Sequence, residues 1–296
     1  MASNPTTPGA WANFLSKAWG RDRFPIDVKC IAEDISCHQF DPITTVKGGD
    51  IGDLEGMLLK RGNGWYLLYN DLVQSQGRIN FTIGHELGHY LLHRNEHDAF
   101  ECGVQDLLDW GSEDRRCESE ADKFAAMLLM PLDDFRKQVE SVKVDLDLLS
   151  ACATRYGVSL LAVIRQWLEF TTQRAVLVVS RDGFIKWSWS SDKALRTRAR
   201  FRFSQETIPI PDASIAAQMT RRLDERSGIE LPAHVWFKEE PPEMSLREMR
   251  VVSDQYDMVV SLLILPDRNP FEKNNSAEDV LLVDTYAFMQ NGHLPT

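Results

Sequence analysis

The run Gly84-His-Glu-Leu-Gly-His-Tyr-Leu-Leu-His93 contains His-Glu-x-x-His at positions 85 to 89. On a helix, His85 and His89 leave the same face one turn apart, so both imidazoles can hold one metal ion. Zn²⁺ suits that pair, and Glu86 is then placed as general base towards the attacking water. The chemistry such a set serves is hydrolysis of a peptide bond.

A catalytic zinc ordinarily takes three protein ligands and keeps one position open. The metzincin solution needs a third His six residues after the second and a Gly three residues after it. Asn95 and Leu92 stand at those places, which removes it. His93 lies one turn beyond His89, but three histidines in helical succession spread too far along the axis to share one ion easily. The other common solution is a carboxylate from a following helix. In Glu118-Ser-Glu-Ala-Asp122, Glu118 and Asp122 share a helical face. Glu118 is the expected third ligand, and Asp122 the acceptor for the N–H of a ligating imidazole. Glu120 points elsewhere on that helix. The plainer account of these acids is a solvated first turn favoured by the helix dipole.

The elements that must position these groups are legible in outline. The histidine helix should run from near Arg78 to about Leu92, with Ile83, Leu87 and Leu91 as its core-facing stripe. Gly84 and Gly88 are poor helix formers whose missing side chains admit a close neighbour. Gly56 to Tyr69 reads as a hairpin around Arg-Gly-Asn-Gly, and 95–116 as polar and irregular. A helix over Cys117 to Met130 should stop at Pro131, with further helices at 132–142 and within 145–170. Two more helices are expected within 1–20 and 26–40. After Arg174 strands take over: a hairpin over Ala175–Trp189 turning at Asp182-Gly183, then strands near 199–203, 234–238, 247–253 and 257–265, with a helix around 212–226. The expected fold class is α+β. Residues 1–173 form a mainly helical, zincin-like domain of gluzincin type with a small β-sheet, including a helix-turn-helix-like segment at about 145–170. Residues 174–296 form an α+β regulatory domain.

The net charge of -11 argues against general affinity for nucleic acid or anionic membrane. No apolar run approaches the ~20 residues of a membrane span, and the first residues lack the pattern of a signal peptide. Five widely spaced cysteines do not resemble a disulfide framework. A cytoplasmic protein with reduced thiols and no membrane partner is expected.

Arg78-Ile-Asn-Phe-Thr-Ile-Gly-His-Glu-Leu-Gly-His-Tyr-Leu-Leu-His93, followed by Glu118-Ser-Glu-Ala-Asp-Lys-Phe-Ala-Ala-Met-Leu-Leu-Met-Pro131, closely resembles the ImmA/IrrE metallopeptidases over about residues 50–170. Position by position, the resemblance implies one catalytic zinc held by His85, His89 and Glu118, with Glu86 catalytic. It implies a helix-turn-helix repressor as substrate, cut to release genes of stress response, mobile-element excision or antiphage defence. Members that accompany antiphage signalling operons carry a sensor domain, so the resemblance suggests a GAF-like fold for the C-terminal part. An extended substrate segment is expected to pair with the Trp65–Tyr69 strand.

Three further features bear on control and partners. Cys102 lies between the two metal-binding helices, where its thiolate can take the open metal position as a cysteine switch. Cys117 leaves its helix in another direction. Ala153-Thr-Arg-Tyr-Gly-Val-Ser159 matches the turn of DNA-binding helix-turn-helix motifs, but the next helix, Leu160 to Phe170, offers only Arg165 and Gln166 to read bases. It reads better as a buried helix than as part of a DNA-binding regulator. Arg196, Arg198, Arg200 and Arg202 would share one face of a strand, fit for single-stranded DNA or a small anionic ligand, or simply a solvated basic edge. A metal-binding module that holds a partner without cutting it is the remaining alternative.

Overall fold

The computed structural model describes residues 5–20, 24–103, 113–140, 142–201, 207–218, 224–253 and 257–268. Helices α1 (Pro8–Trp19) and α2 (Val28–Ser36) precede strands β1 (Ile43–Gly49), β2 (Leu54–Arg61) and β3 (Gly64–Asn70). Helix α3 (Gln76–Leu92), strand β4 (Ala99–Gly103) and helix α4 (Glu113–Leu129) then supply the residues singled out above. The sheet runs β1-β3-β2-β4, with β1 parallel to β3 and the other pairs antiparallel. Period-two alternation explains its inner face: Trp65 and Leu67 of β3 are buried while Tyr66 between them is exposed. The hairpin at 56–69 is as expected. Segment 95–116 is not irregular throughout, because β4 lies within it; residues 104–112 fall outside the described ones.

Helix α3 begins at Ser75, whose hydroxyl accepts from the Arg78 N–H. Ile83 and Leu87 are buried and Leu91 packs at the core's margin, as the stripe requires. Its two inner glycines face α4. A Cβ on Gly88 would stand 3.0 Å from the Ala121 Cα, and one on Gly84 3.3 Å from the Ala125 Cβ. The two metal-binding helices therefore approach closely. Helix α4 ends before Pro131, which caps α5 (Leu132–Val139).

Helices α6 (Leu146–Tyr156) and α7 (Leu160–Phe170) meet at Gly157, left-handed at φ 61° and ψ 38°. Among the described residues no single helix is long and apolar enough to cross a membrane. The side chains that would have read DNA are engaged inside the fold. Gln166 is buried and donates to the Met130 carbonyl, and the Arg165 guanidinium lies 4.7 Å from the Trp189 ring centre.

The second sheet comprises β5 (Arg174–Arg181), β6 (Phe184–Ser190), β7 (Ile208–Pro209), β8 (Ile229–Pro232), β9 (Ser245–Ser253) and β10 (Met258–Leu265). Its order is β7-β6-β5-β10-β9-β8, antiparallel throughout. One face carries Ala175, Leu177, Val179, Val260 and Leu262 into the same core as Trp167 and Leu168 of α7. The other packs Val176, Val178, Leu246 and Leu263 against Ala194, Trp236 and Phe237.

Three expectations fail here, each for a physical reason. Residues 199–201 form no strand. Helix α8 (Asp192–Arg196) ends in a Schellman cap, with Ala199 N–H donating to Ala194 O, Arg198 N–H to Leu195 O, and Arg198 left-handed at φ 63°. The span 234–238 opens instead with a 3₁₀ turn (Ala233–Val235) that tucks Trp236 and Phe237 beneath the sheet. No helix occupies the described part of 212–226. Its backbone is tied down by buried β9 side chains: Glu248 accepts from the Ile215 and Ala216 N–H groups, and Arg250 donates to the Ile215 and Gln218 carbonyls.

Candidate metal centre

Helix α3 presents His85 and His89, α4 presents Glu118, and β4 presents Cys102, all to one point. His85 Nε2 is 2.9 Å from His89 Nε2, 3.0 Å from Glu118 Oε2 and 3.1 Å from Cys102 Sγ. His89 Nε2 is 3.1 Å from Glu118 Oε1, and Cys102 Sγ stands 3.9 Å from both His89 Nε2 and Glu118 Oε2. Four ligand atoms around one tetrahedral ion, bonded at about 2.0–2.3 Å, stand about 3.3–3.8 Å apart. These four groups all lie within 4.8 Å of one another, so the donor set fits a single metal ion. A second sign of fit is Glu86, fully buried beside them, for whose carboxylate oxygens the described residues supply no hydrogen bond of good geometry, only the nearby Cys102 thiol.

The supporting residues follow from helical spacing. Asp122, one turn after Glu118, has Oδ1 3.0 Å from His85 Nδ1, which leaves His85 Nε2 facing the ligand cluster. Phe100, two residues before Cys102 on β4, stacks on the His89 ring with centroids 4.4 Å apart. Gly56 of β2 lies directly over Glu86: a Cβ there would fall 2.4 Å from Glu86 Oε1. Strand register sets Gly56 opposite Cys102, which is how the thiol comes to stand over Glu86.

Electrostatics follow from burial and from the pairings. Burial pushes the Glu86 carboxyl up to about 7, outweighing the pull of His85 and the nearby Cys102 thiol. Burial also lowers His89 to about 4, keeping its imidazole neutral at ordinary pH. For His85 burial works downward, but the charge of Cys102 and hydrogen bonds to Asp122, Cys102 and Glu118 raise it well above the usual imidazole value. Burial opposes ionisation of Glu118, yet its bonds from His85 and His89 hold the carboxyl well below the carboxylate range. Asp122 is lowered too; there burial is outweighed by the His85 bond and the charges of His85 and Arg165. Burial pushes the Cys102 thiol far up in the absence of a cation.

His85, Glu86, His89, Glu118, Asp122 and Cys102 thus come together. Cys117 does not join them; its sulfur, buried elsewhere, faces Glu96. Arg196, Arg198 and Arg200 do not share one face of a strand. Arg196 pairs with Asp192 at the end of α8, Arg198 and Arg200 follow the cap, and Arg202 lies outside the described residues. The expected edge pairing on Trp65–Tyr69 also fails, because β3 has β1 on one side and β2 on the other. Three residues went unread. Phe100 and Gly56 belong to strand pairing over long sequence separation, with no local signal. His93, buried against His89, was visible through its four-residue spacing but was weighed only as a ligand.

Residues 47–167 match the Peptidase M78 family model, described as an IrrE N-terminal-like domain. No curated protein matches the chain.

Proposed function

We propose that this chain, whose residues 47–167 match an IrrE N-terminal-like peptidase domain, is a zinc-dependent endopeptidase of the ImmA/IrrE kind that cleaves a helix-turn-helix repressor. The observation that carries this reading is the convergence of His85, His89 and Glu118 beside the buried carboxylate of Glu86. Zinc bound there would supply Lewis-acid polarisation of the scissile carbonyl and of the attacking water. Glu86, with its carboxyl near neutrality, takes the water's proton at Oε1 or Oε2 and returns it to the leaving amine. Asp122 holds His85 at Nδ1, while Phe100 covers His89 and keeps solvent from that side.

Cys102 makes the activity conditional. Its sulfur occupies the position the attacking water needs, on a strand paired to the sheet edge. Releasing the thiol means freeing β4 from β2, and the β2 edge then opens to an extended substrate segment directly above Glu86. The six-stranded C-terminal sheet is read as the sensor, GAF-like in kind, that triggers this release under a stress or phage-derived signal.

The test is a purified assay of the zinc-loaded full chain against helix-turn-helix repressors of its host, starting with those from adjacent genes. Cys102→Ser should cleave at least 10-fold faster than the native chain without a signal. Glu86→Gln in that background should still bind the repressor and leave it uncut. Binding without cleavage by the Cys102→Ser protein would make the chain a holding module instead.

A further inference from the structure

Both ligand histidines need their Nδ1 atoms occupied, and the two are served differently. His85 has Asp122 directly. His89 meets Glu118 at Nε2, but its Nδ1 has no carboxylate against it among the described residues and lies 3.2 Å from the Nδ1 of His93, whose Nε2 lies 3.0 Å from Glu120 Oε2. Glu120 is held in turn by Arg116, whose Nη1 is 3.0 Å from the same oxygen while its Nη2 reaches Glu96 at 2.8 Å. His93 is fully buried and caps α3, its N–H donating to the His89 carbonyl at 2.8 Å.

We infer that His93 and Glu120 are positioning residues that set the ring orientation and tautomer of His89 for metal binding. The inference rests on the reading that His85, His89 and Glu118 hold zinc. Once an ion takes the His89 Nε2 lone pair, in place of the Glu118 oxygen 3.1 Å away, the protons have one arrangement. An ionised carboxylate only accepts, so the His93 ring hydrogen sits on Nε2 and points at Glu120. His93 Nδ1 is then an acceptor, and His89 donates to it from Nδ1. His89 Nε2 is left with its lone pair aimed at the cluster. Reversing the chain would put the His89 proton on Nε2, where the ion must sit.

Two other roles for His93 fail on geometry. It is not a ligand to the same ion, because its nearest nitrogen meets His89 on the ring side opposite the metal-facing Nε2. Nor do His93, Glu120 and Glu96 form a second metal site, because the Arg116 guanidinium already stands between the two carboxylates.

The experiment combines chelator-competition measurement of zinc affinity with ¹⁵N-detected NMR of the ring nitrogens, on the full chain with and without zinc. In the native, zinc-loaded protein His89 should carry its proton on Nδ1 and share it with His93 Nδ1. His93→Phe, which keeps a ring of similar size without the acceptor, should weaken zinc binding about 10- to 100-fold and leave the His89 Nδ1–H without that hydrogen bond. Glu120→Ala should shift both readouts the same way, and Glu120→Gln, whose amide oxygen still accepts from Nε2, should recover most of the loss. Glu120 is partly exposed, so its variants stand even if His93→Phe fails to fold. Native zinc affinity in His93→Phe or in Glu120→Ala, or a zinc-loaded His89 whose Nδ1 shares no hydrogen bond with His93, would overturn the inference. Absence of zinc binding by the native chain would instead overturn the metal reading, and a nitrogen–nitrogen coupling between the two Nδ1 atoms, expected in the metal-free protein and weakened in Glu120→Ala, would still judge this one.

Discussion

Glu86 is the residue whose environment is least comfortable and most telling. Both its oxygens are buried without a hydrogen bond of good geometry, and its carboxyl is raised to about 7. A raised folded-state value means the folded protein holds a proton that the unfolded chain has already lost. Its effect therefore favours folding below the ordinary glutamate value and is lost as pH rises through about 7. Glu86→Gln, which cannot ionise, should stabilise the metal-free protein by up to about 3 kcal/mol at pH 8, with the difference vanishing near pH 4. Urea unfolding with chelator present at the two pH values checks this. Equal stability at pH 8 would mean that Glu86 is solvated and unstrained. At the same scale, Gly56→Ala pushes a methyl group into Glu86 Oε1 and Thr82 Cγ2. It should cut cleavage in a Cys102→Ser background by about 10-fold or more while zinc affinity stays within a few-fold.

At the scale of elements, the site depends on where α3 is held. Its first turn lies against the loop between α6 and α7: a Cβ on Gly77 would come within 2.5 Å of the Val158 carbonyl carbon, and Asn80 donates to the Gly157 carbonyl. Gly77→Ala should therefore destabilise the protein by about 1–3 kcal/mol despite alanine's better helix propensity, read as a lowered denaturant midpoint. The helices themselves were legible. Local spacing marks α3 and α4, Pro131 marks a stop, and Asp182-Gly183 marks a hairpin with both residues at positive φ. Helical periodicity alone pairs His85 with His89 and Glu118 with Asp122; it does not join the two pairs. What escaped were features set by distant partners. β4 is a strand only because β2 offers it an edge, and the arginine run from 196 follows a cap that rests on a non-glycine left-handed residue. Segment 212–218 avoids helix because Glu248 and Arg250, some thirty residues away, satisfy its backbone.

At the scale of the molecule, the two sheets are joined by helices that share one core. Trp167 and Leu168 of α7 pack with residues of β5, β9 and β10, and Arg247 of β9 donates to the Val144 carbonyl next to α6. Removing everything after residue 173 would expose the sheet-facing side of α7, at about 1.5–3 kcal/mol for each large side chain. A chain truncated there should melt well below the intact protein or aggregate, and the intact chain should unfold in one calorimetric transition. Two separated transitions would show that the halves are energetically independent. The shared core also connects the second sheet to the candidate metal centre by direct packing. Arg165 of α7 stacks on Trp189 of β6, and its charge helps hold down the Asp122 carboxyl that supports His85.

The central claim, a zinc site capped by Cys102, is tested most directly by zinc-edge X-ray absorption on the purified full chain. One zinc per chain is expected, with nitrogen and oxygen neighbours at about 2.0 Å and a single sulfur at about 2.3 Å; the sulfur should vanish in Cys102→Ser while the zinc stays. A zinc shell without sulfur in the native protein would contradict the cap, and a chain that takes up no zinc would contradict the site.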